Sequence, residues 1–221
     1  EAAAQITALV DINGAPTNGT DMPGALSFRT SPDGSATPGE RLKIDCRGFI
    51  GINENNPDEL LHLSANNTSV SANAYTSANN TLRFTDTDTT VTSDQPGGTI
   101  EWETRDSTAA GVNAYIATKN SNTGYASMHF GTGNQSTLAE RFSIDQSGNI
   151  APGADATQDL GSISKRWANI YSADLQLSNE GSQNDVDGSW GSYTMQEGES
   201  DLFLINRRTG KKYKFMLEEV Q

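Results

Sequence analysis

This sequence has no long apolar run: nowhere do its 221 residues approach the roughly 20 consecutive apolar positions that a membrane-spanning helix needs. No basic-then-apolar signal segment opens it either. A single cysteine, Cys46, excludes an intrachain disulfide framework and any zinc site built on several thiolates. Packing or assembly must supply the stability. Basic residues are few, with 15 Lys and Arg against 28 Asp and Glu and a net charge of −13. Affinity for a phosphate backbone comes from Lys and Arg displacing counterions, so nucleic acid is not an expected partner. Hydrophobic residues make up only 34% and charged residues only 19%. What fills the chain instead is uncharged and polar: 23 Thr, 22 Ser and 19 Asn, beside 21 Gly.

So polar a chain raises the question of order. Disordered chains lack β-branched and aromatic residues and carry dense net charge, whereas here Thr is abundant, the net charge is sparse and the apolar residues fall in patterned places. Order is therefore expected. Fixing the backbone costs about 1–2 kcal/mol per residue, and oligomerisation is one physical way for so little apolar material to offset it. The first residue is Glu1 rather than Met, which reads as a fragment of a longer protein.

Helical periodicity is nearly absent. Short alternating segments separated by Gly, Pro, Asn and Asp recur instead, the all-β pattern. In Leu26-Ser27-Phe28-Arg29-Thr30 the apolar residues share one parity, as do Leu42 and Ile44, so each segment can bury one face and solvate the other. Further predicted strands run over Leu60 to Leu63, Thr81 to Thr85, Thr99 to Arg105, Val112 to Thr118 and Ala126 to Phe130. Turn signals lie at Pro32-Asp33-Gly34, Asn53 to Pro57, Pro96-Gly97-Gly98 and Gln146 to Asn149. The segment 64–80, rich in Ser, Asn, Thr and Ala, reads as a loop or polar strand, and Pro152 to Gln158 as a linker.

One internal repeat stands out. Glu40-Arg41-Leu42-Lys43-Ile44-Asp45-Cys46-Arg47-Gly48-Phe49-Ile50 returns 100 positions later as Glu140-Arg141-Phe142-Ser143-Ile144-Asp145-Gln146-Ser147-Gly148-Asn149-Ile150. The pattern is that of a hairpin, with a tight turn at the Gly and a second strand opening at Ile50 or Ile150. A period near 100 is too long for a solenoid rung and suits two tandem β modules.

The last fifty residues are divided electrostatically. From Asp174 to Asp201 there are seven acids and no base, whereas Arg207, Arg208, Lys211, Lys212 and Lys214 crowd into eight positions. Leu202 to Asn206 and Tyr213 to Leu217 flank Arg208-Thr209-Gly210-Lys211 as a predicted hairpin. The first of these strands is apolar on both faces, so it should be central or covered by another chain.

The strings "LRFTDTDTTVTSDQPGGTIEWETRDS" (82–107), "ERFSIDQSGNI" (140–150) and "DLGSISKRWANIYS" (159–172) resemble distal segments of tailed-bacteriophage tail fibres and related virion appendages, particularly of marine phages. The ending "DLFLINRRTGKKYKFMLEEV" resembles ends of cyanophage-like structural proteins. Together these strings cover about one third of the chain. The Asp-Leu-Gly-Ser…Arg-Trp…Ile-Tyr element is the most specific of them, and the Ile-Asp…Gly…Ile hairpin the most widespread. The resemblance implies an elongated, homotrimeric, all-β fibre in which three chains share a core. In many such relatives the Arg-Trp element leads into a C-terminal intramolecular chaperone that trims itself with a Ser/Lys pair. Here the chain stops about 50 residues beyond Tyr171, so either this branch ends in its own small β tip or a chaperone lay outside the fragment.

The expected division is an N-terminal connecting segment over 1–23, β modules over 24–64 and 65–153, a neck over 154–178 and a C-terminal β tip over 179–221. The expected function is mechanical reach and host attachment through the distal end of a virion appendage. The expected partners are two further copies of the chain, a host surface glycan or protein, and other virion proteins through the upstream region. No membrane insertion, cofactor, metal or catalytic residue is assigned. Trp167, Ile170 and Tyr171 are the candidate trimer-core residues; Trp167, Ile170 and Tyr171 fit one helical turn, and Trp167, Asn169 and Tyr171 fit one strand face. Trp190, Tyr193, Arg207 and Arg208 are the candidate receptor contacts. An aromatic in the Gly-Ser-rich segment 188–193 can stack on a sugar or fill the tip's core, and the arginines can meet an anionic glycan or balance the acidic stretch before them.

Rival readings are a polysaccharide-degrading tailspike and a purely structural capsid fibre or tail connector. Glu101 and Glu103 lie two apart on one strand, the type of carboxylate pair that glycoside hydrolysis uses. Alternation with Ile100 and Trp102 is equally what the solvated face of a half-buried strand gives. Ser164 beside Lys165 is adjacency, not a dyad. Asp86 and Asp88, and Asp185 and Asp187, begin no EF-hand loop and read as loop acids. His62 and His129 form no local ligand pair, and only a threefold axis would gather three copies of either. The sequon at Asn67 is expected by chance in so Asn-rich a chain.

Overall fold

The computed structural model describes residues 3–11, 22–67, 80–121 and 124–218. Among them are fourteen β-strands and no helix. The strands are β1 (Ala4–Val10), β2 (Gly24–Thr30), β3 (Gly39–Ile44), β4 (Ile50–Ile52), β5 (Leu61–Leu63), β6 (Gln95–Thr104), β7 (Gly111–Asn120), β8 (Ala126–Thr132), β9 (Ala139–Ile144), β10 (Ile150–Pro152), β11 (Asp174–Ser178), β12 (Ser192–Glu197), β13 (Leu202–Asn206) and β14 (Lys212–Lys214). They form three sheets with the orders β1-β2-β3-β4-β5, β10-β9-β8-β7-β6 and β11-β12-β13-β14. The all-β expectation stands. Two compact units divide the chain, one of residues 1–138 with 143–149 and one of residues 139–142 with 150–221.

Register explains how each sheet is built. In the first, Ile6 pairs with Phe28, Phe28 with Leu42, Leu42 with Ile52, and Ile52 with Leu63. The row beside it runs Ala8, Leu26, Ile44, Ile50, Leu61. Because strand side chains alternate, these ten residues share one face. The other face carries Thr7, Ser27, Lys43, Gly51 and His62. Burial is the reverse of what polarity alone would give. Ser27 and Lys43 on the polar face are buried, as is Asp11 just beyond β1, whereas Ile6 is 71% and Leu61 53% exposed on the apolar one. On the polar side, Lys43 Nζ donates to Asp11 Oδ1 and to the Asn55 carbonyl, both at 3.0 Å, and Asp11 Oδ2 accepts the Cys46 N–H at 2.8 Å.

The other sheets also carry cross-strand apolar rows. In the second, Ile100, Ile116 and Phe130 align across β6, β7 and β8, with Trp102 and Ala114 in the next row. Glu101, Tyr115 and Gly131 lie opposite, where a Cβ on Gly131 would fall 2.1 Å from the Tyr115 ring. In the third, Leu175, Met195, Leu204 and Tyr213 form a single cross-strand row. Strand β13 lies inside its sheet, between β12 and β14, as its apolar character requires.

The repeat is a turn. Asp45 N–H donates to the Phe49 carbonyl at 3.0 Å and Gly48 N–H to the Asp45 carbonyl at 2.9 Å; Asp145, Asn149 and Gly148 reproduce both bonds at 3.0 Å. Gly48 and Gly148 have φ of 81° and 84°, a conformation only glycine adopts cheaply. The Asp side chain completes the turn, accepting from the N–H groups of Arg47 and Phe49 in the first copy and of Ser147 and Asn149 in the second. Burial pushes the Asp45 carboxyl up, but hydrogen bonds from the Arg47 side chain and from the backbone of Phe49 and Arg47, with the Arg47 charge, hold it below the ordinary value. Asn149, through its side chain and then its backbone, does the same for Asp145.

Several segments differ from the sequence reading. Residues 81–88 form no strand, and of Tyr213 to Leu217 only Tyr213 and Lys214 belong to a strand, β14. Strand β1 lies in the segment read as a connector, β11 in the neck, and β12 takes up Tyr193 from the segment read as a loop. The loop reading of 64–80 falls largely outside the described residues.

Candidate functional site

At the end of the chain, two polar turns meet the sheet edge. The loop after β11 is drawn tight by Asn184, whose Oδ1 accepts the N–H of Val186 at 2.8 Å and of Asp187 at 3.1 Å. Its Nδ2 donates to Asp187 Oδ1 and to the Ser189 carbonyl, both at 2.7 Å. The turn between β13 and β14 is held likewise by Asn206, whose Oδ1 accepts from the N–H of Arg208 and Thr209 at 3.0 and 3.1 Å. Asn206 Nδ2 reaches across to the Tyr193 hydroxyl at 2.9 Å. Asn serves both places because its short amide mimics a backbone turn.

These turns place the tip candidates. The Arg208 guanidinium lies 3.8 Å over the Trp190 ring and donates to the Trp190 carbonyl at 2.6 Å. Arg207 Nε donates to the buried Thr194 hydroxyl at 2.6 Å. Trp190, Tyr193 and Arg208 line one depression together with Asn184, Asp187 and Asn206; Arg207 does not. Both guanidinium groups are thus engaged within the chain, and farther along Lys214 pairs with Asp201 at 2.8 Å. The sequence alone does not single out Asn184, Asp187 and Asn206 as parts of such a site. Asp187 reads there as a loop acid, and the one available signal is the Asn two or three residues ahead of each turn.

Asp187 is set apart electrostatically. The Ser189 hydroxyl first, then the Ser189 backbone N–H and the Asn184 amide, lower its pKa from 3.8 to about 2. A depressed carboxyl contributes stability that is complete above its unfolded value and is lost as pH falls through its folded one. The carboxyl-carbon NMR signal of Asp187 should therefore titrate near pH 2, with the loop loosening there; titration in the usual Asp range would show the hydrogen bonds to be unformed in solution.

The other candidates are not among the residues that line this depression. Trp167, Ile170 and Tyr171 are 62%, 70% and 94% exposed and belong to neither helix nor strand. The element around them is a tight turn closed by reciprocal backbone bonds between Ser162 and Lys165, with the Trp167 ring beside Gly161. Neither periodicity that the sequence allows at 167–171 is realised: the stretch has no regular structure and follows the 162–165 turn, which Gly161 enters at φ 88°. Ser164 and Lys165 are neighbours in this exposed turn. Glu101 and Glu103 are exposed on β6, and Ile100 and Trp102, which alternate with them, are open as well. Asp86 and Asp88 accept loop N–H groups, and Asp88 also holds the Gln95 amide. His62 lies 2.8 Å from Asp58, and His129 2.8 Å from the Ser127 hydroxyl. Among the described residues no three His, Cys, Asp or Glu side chains form a cluster able to hold a metal ion.

The chain is therefore an all-β protein whose three sheets each keep one apolar face open. No protein-family model matches it, and no curated protein does. Among solved structures it is similar to the carboxy-terminal domain of the bacteriophage T5 L-shaped tail fibre, at 16% identity and a TM-score of 0.39, over 78% of this chain and 80% of that one. It is also similar to that domain with its intramolecular chaperone domain, at 17% identity and a TM-score of 0.40, covering 86% of this chain and 60% of the other.

Proposed function

We propose that the chain is the distal part of a homotrimeric fibre on a phage virion, elongated through tandem β modules, whose end attaches the particle to a host cell. The phage assignment rests on the resemblance of segments 82–107, 140–150 and 159–172 to tail-fibre sequences. One structural observation carries the assembly: apolar rows such as Ile6, Phe28, Leu42, Ile52 and Leu63 face outward while Ser27, Lys43 and Asp11 are buried. Contiguous apolar patches beyond a few hundred Å² mark interaction surfaces, and identical faces from three chains around one axis would cover one another. Trp167, Ile170 and Tyr171, open in the single chain, are proposed to join that shared core. No catalytic step is assigned.

Light scattering decides the point. The expected molar mass is three times that of the chain at micromolar concentration, and a compact monomer that melts cooperatively at high dilution would overturn the proposal. Attachment is tested separately, by binding of the labelled trimer to a panel of bacterial strains. A trimer that binds none of them would favour the connector, and one that releases reducing ends from capsule, with loss on Glu101→Gln, would favour the tailspike.

A further inference from the structure

We propose that the depression between the 179–191 loop and the 206–209 turn is a subsite for an uncharged, hydroxyl-rich sugar. This deepens the attachment reading and rests on it. The argument starts from unused hydrogen-bonding capacity. Asp187 receives the Asn184 amide, the Ser189 N–H and the Ser189 hydroxyl all on Oδ1, at 2.7, 2.9 and 2.7 Å. Its Oδ2 accepts from no other described residue, so the carboxylate is fixed in orientation with one oxygen available. The Tyr193 hydroxyl accepts from Asn206 Nδ2 and passes its own hydrogen to no described acceptor. Both residues line the same depression. It therefore offers one oriented acceptor and one oriented donor, and a hydroxyl group is the ligand function that uses both.

The remaining walls narrow the class. Trp190 lines the same depression; Arg208 covers one face of its ring, and the C–H side of a sugar ring would pack on the other with its hydroxyls pointing outward. An anionic ligand would meet Asp187 and the acidic stretch 174–201, which holds seven acids and no base. The one cation on the wall, Arg208, is already stacked on Trp190 and bonded to its carbonyl. A cationic ligand would face that same guanidinium and leave the Tyr193 donor unmatched. A neutral polyol conflicts with neither.

The test uses the assembled protein on an array of neutral and acidic oligosaccharides. Binding should be confined to neutral glycans and should hold from about 0.05 to about 0.5 M NaCl, because no ion pair to ligand is being screened. Asp187→Asn keeps the Oδ1 contacts and turns the available acceptor into a donor; Tyr193→Phe removes the donor. Each should weaken binding about tenfold or more with the trimer mass unchanged. Binding that favours acidic glycans and fades with salt would overturn the inference, as would neutral-glycan binding indifferent to both substitutions. A blank array beside intact binding to bacterial cells would also overturn it and leave the attachment reading standing. Absence of both would remove the two together.

Discussion

Leu42→Asp combined with Leu204→Asp should yield a chain that no longer trimerises. Leu42 sits mid-row in the first sheet, between Phe28 and Ile52, and Leu204 mid-row in the third, between Met195 and Tyr213. Burying a leucine contributes about 1.5–3 kcal/mol, so each layer of a threefold assembly would lose that stabilisation three times over. Three carboxylates gathered at each layer would add repulsion and an unmet desolvation cost. Light scattering at micromolar concentration should show the mass fall to that of one chain. Gln5→Glu with Lys212→Glu, exposed positions on the opposite faces of the same sheets, should leave the trimer intact. Persistence of the trimer in the Leu42/Leu204 variant would mean that these faces are not the contact. Should that variant fail to fold, Leu42→Ser with Leu204→Ser makes the same comparison without new charge.

The apolar rows themselves are legible in the sequence. Leu26 and Phe28, and Leu42 and Ile44, declare their parity, and the Asp-x-x-Gly turn is visible because it occurs twice. The direction of the rows is not legible. Alternation says that one face is apolar but not whether the chain covers it, and here the covered face is the polar one, through contacts such as Asp11 with Lys43 that span 32 positions. Strand β11 escapes the sequence reading although Asp174-Leu175-Gln176-Leu177-Ser178 alternates cleanly, because a five-residue segment beside the Trp167 element carries little periodic signal on its own. At the tip, Trp190, Tyr193 and Arg208 stand out as individual residues. Nothing in the sequence says that Asn184 and Asn206 bring them together, since an Asn that fixes a turn looks like any of the other seventeen.

The inverted burial has a consequence within a single chain. Lys43→Met should destabilise the first unit by about 3–5 kcal/mol, because it strands a charge that the fold has enclosed. Asp11 is fully buried and Lys43 nearly so, with the ammonium bridging Asp11 Oδ1 and the Asn55 carbonyl at 3.0 Å each. Removing the cation takes from Asp11 its ion pair at Oδ1, while the Cys46 N–H stays at 2.8 Å on its other oxygen. The expected drop in Tm is on the order of 10 °C for a chain of this size. Removing both charges tests the mechanism. Asp11→Leu with Lys43→Met should recover most of the loss, since a buried pair replaced by apolar groups of similar volume is often neutral or better. If the double variant melts as low as Lys43→Met alone, the lysine acts through packing of its stem and its bond to Asn55 rather than through Asp11. Recovery would instead establish that the lysine acts through its pairing with Asp11 on the polar side of the first sheet.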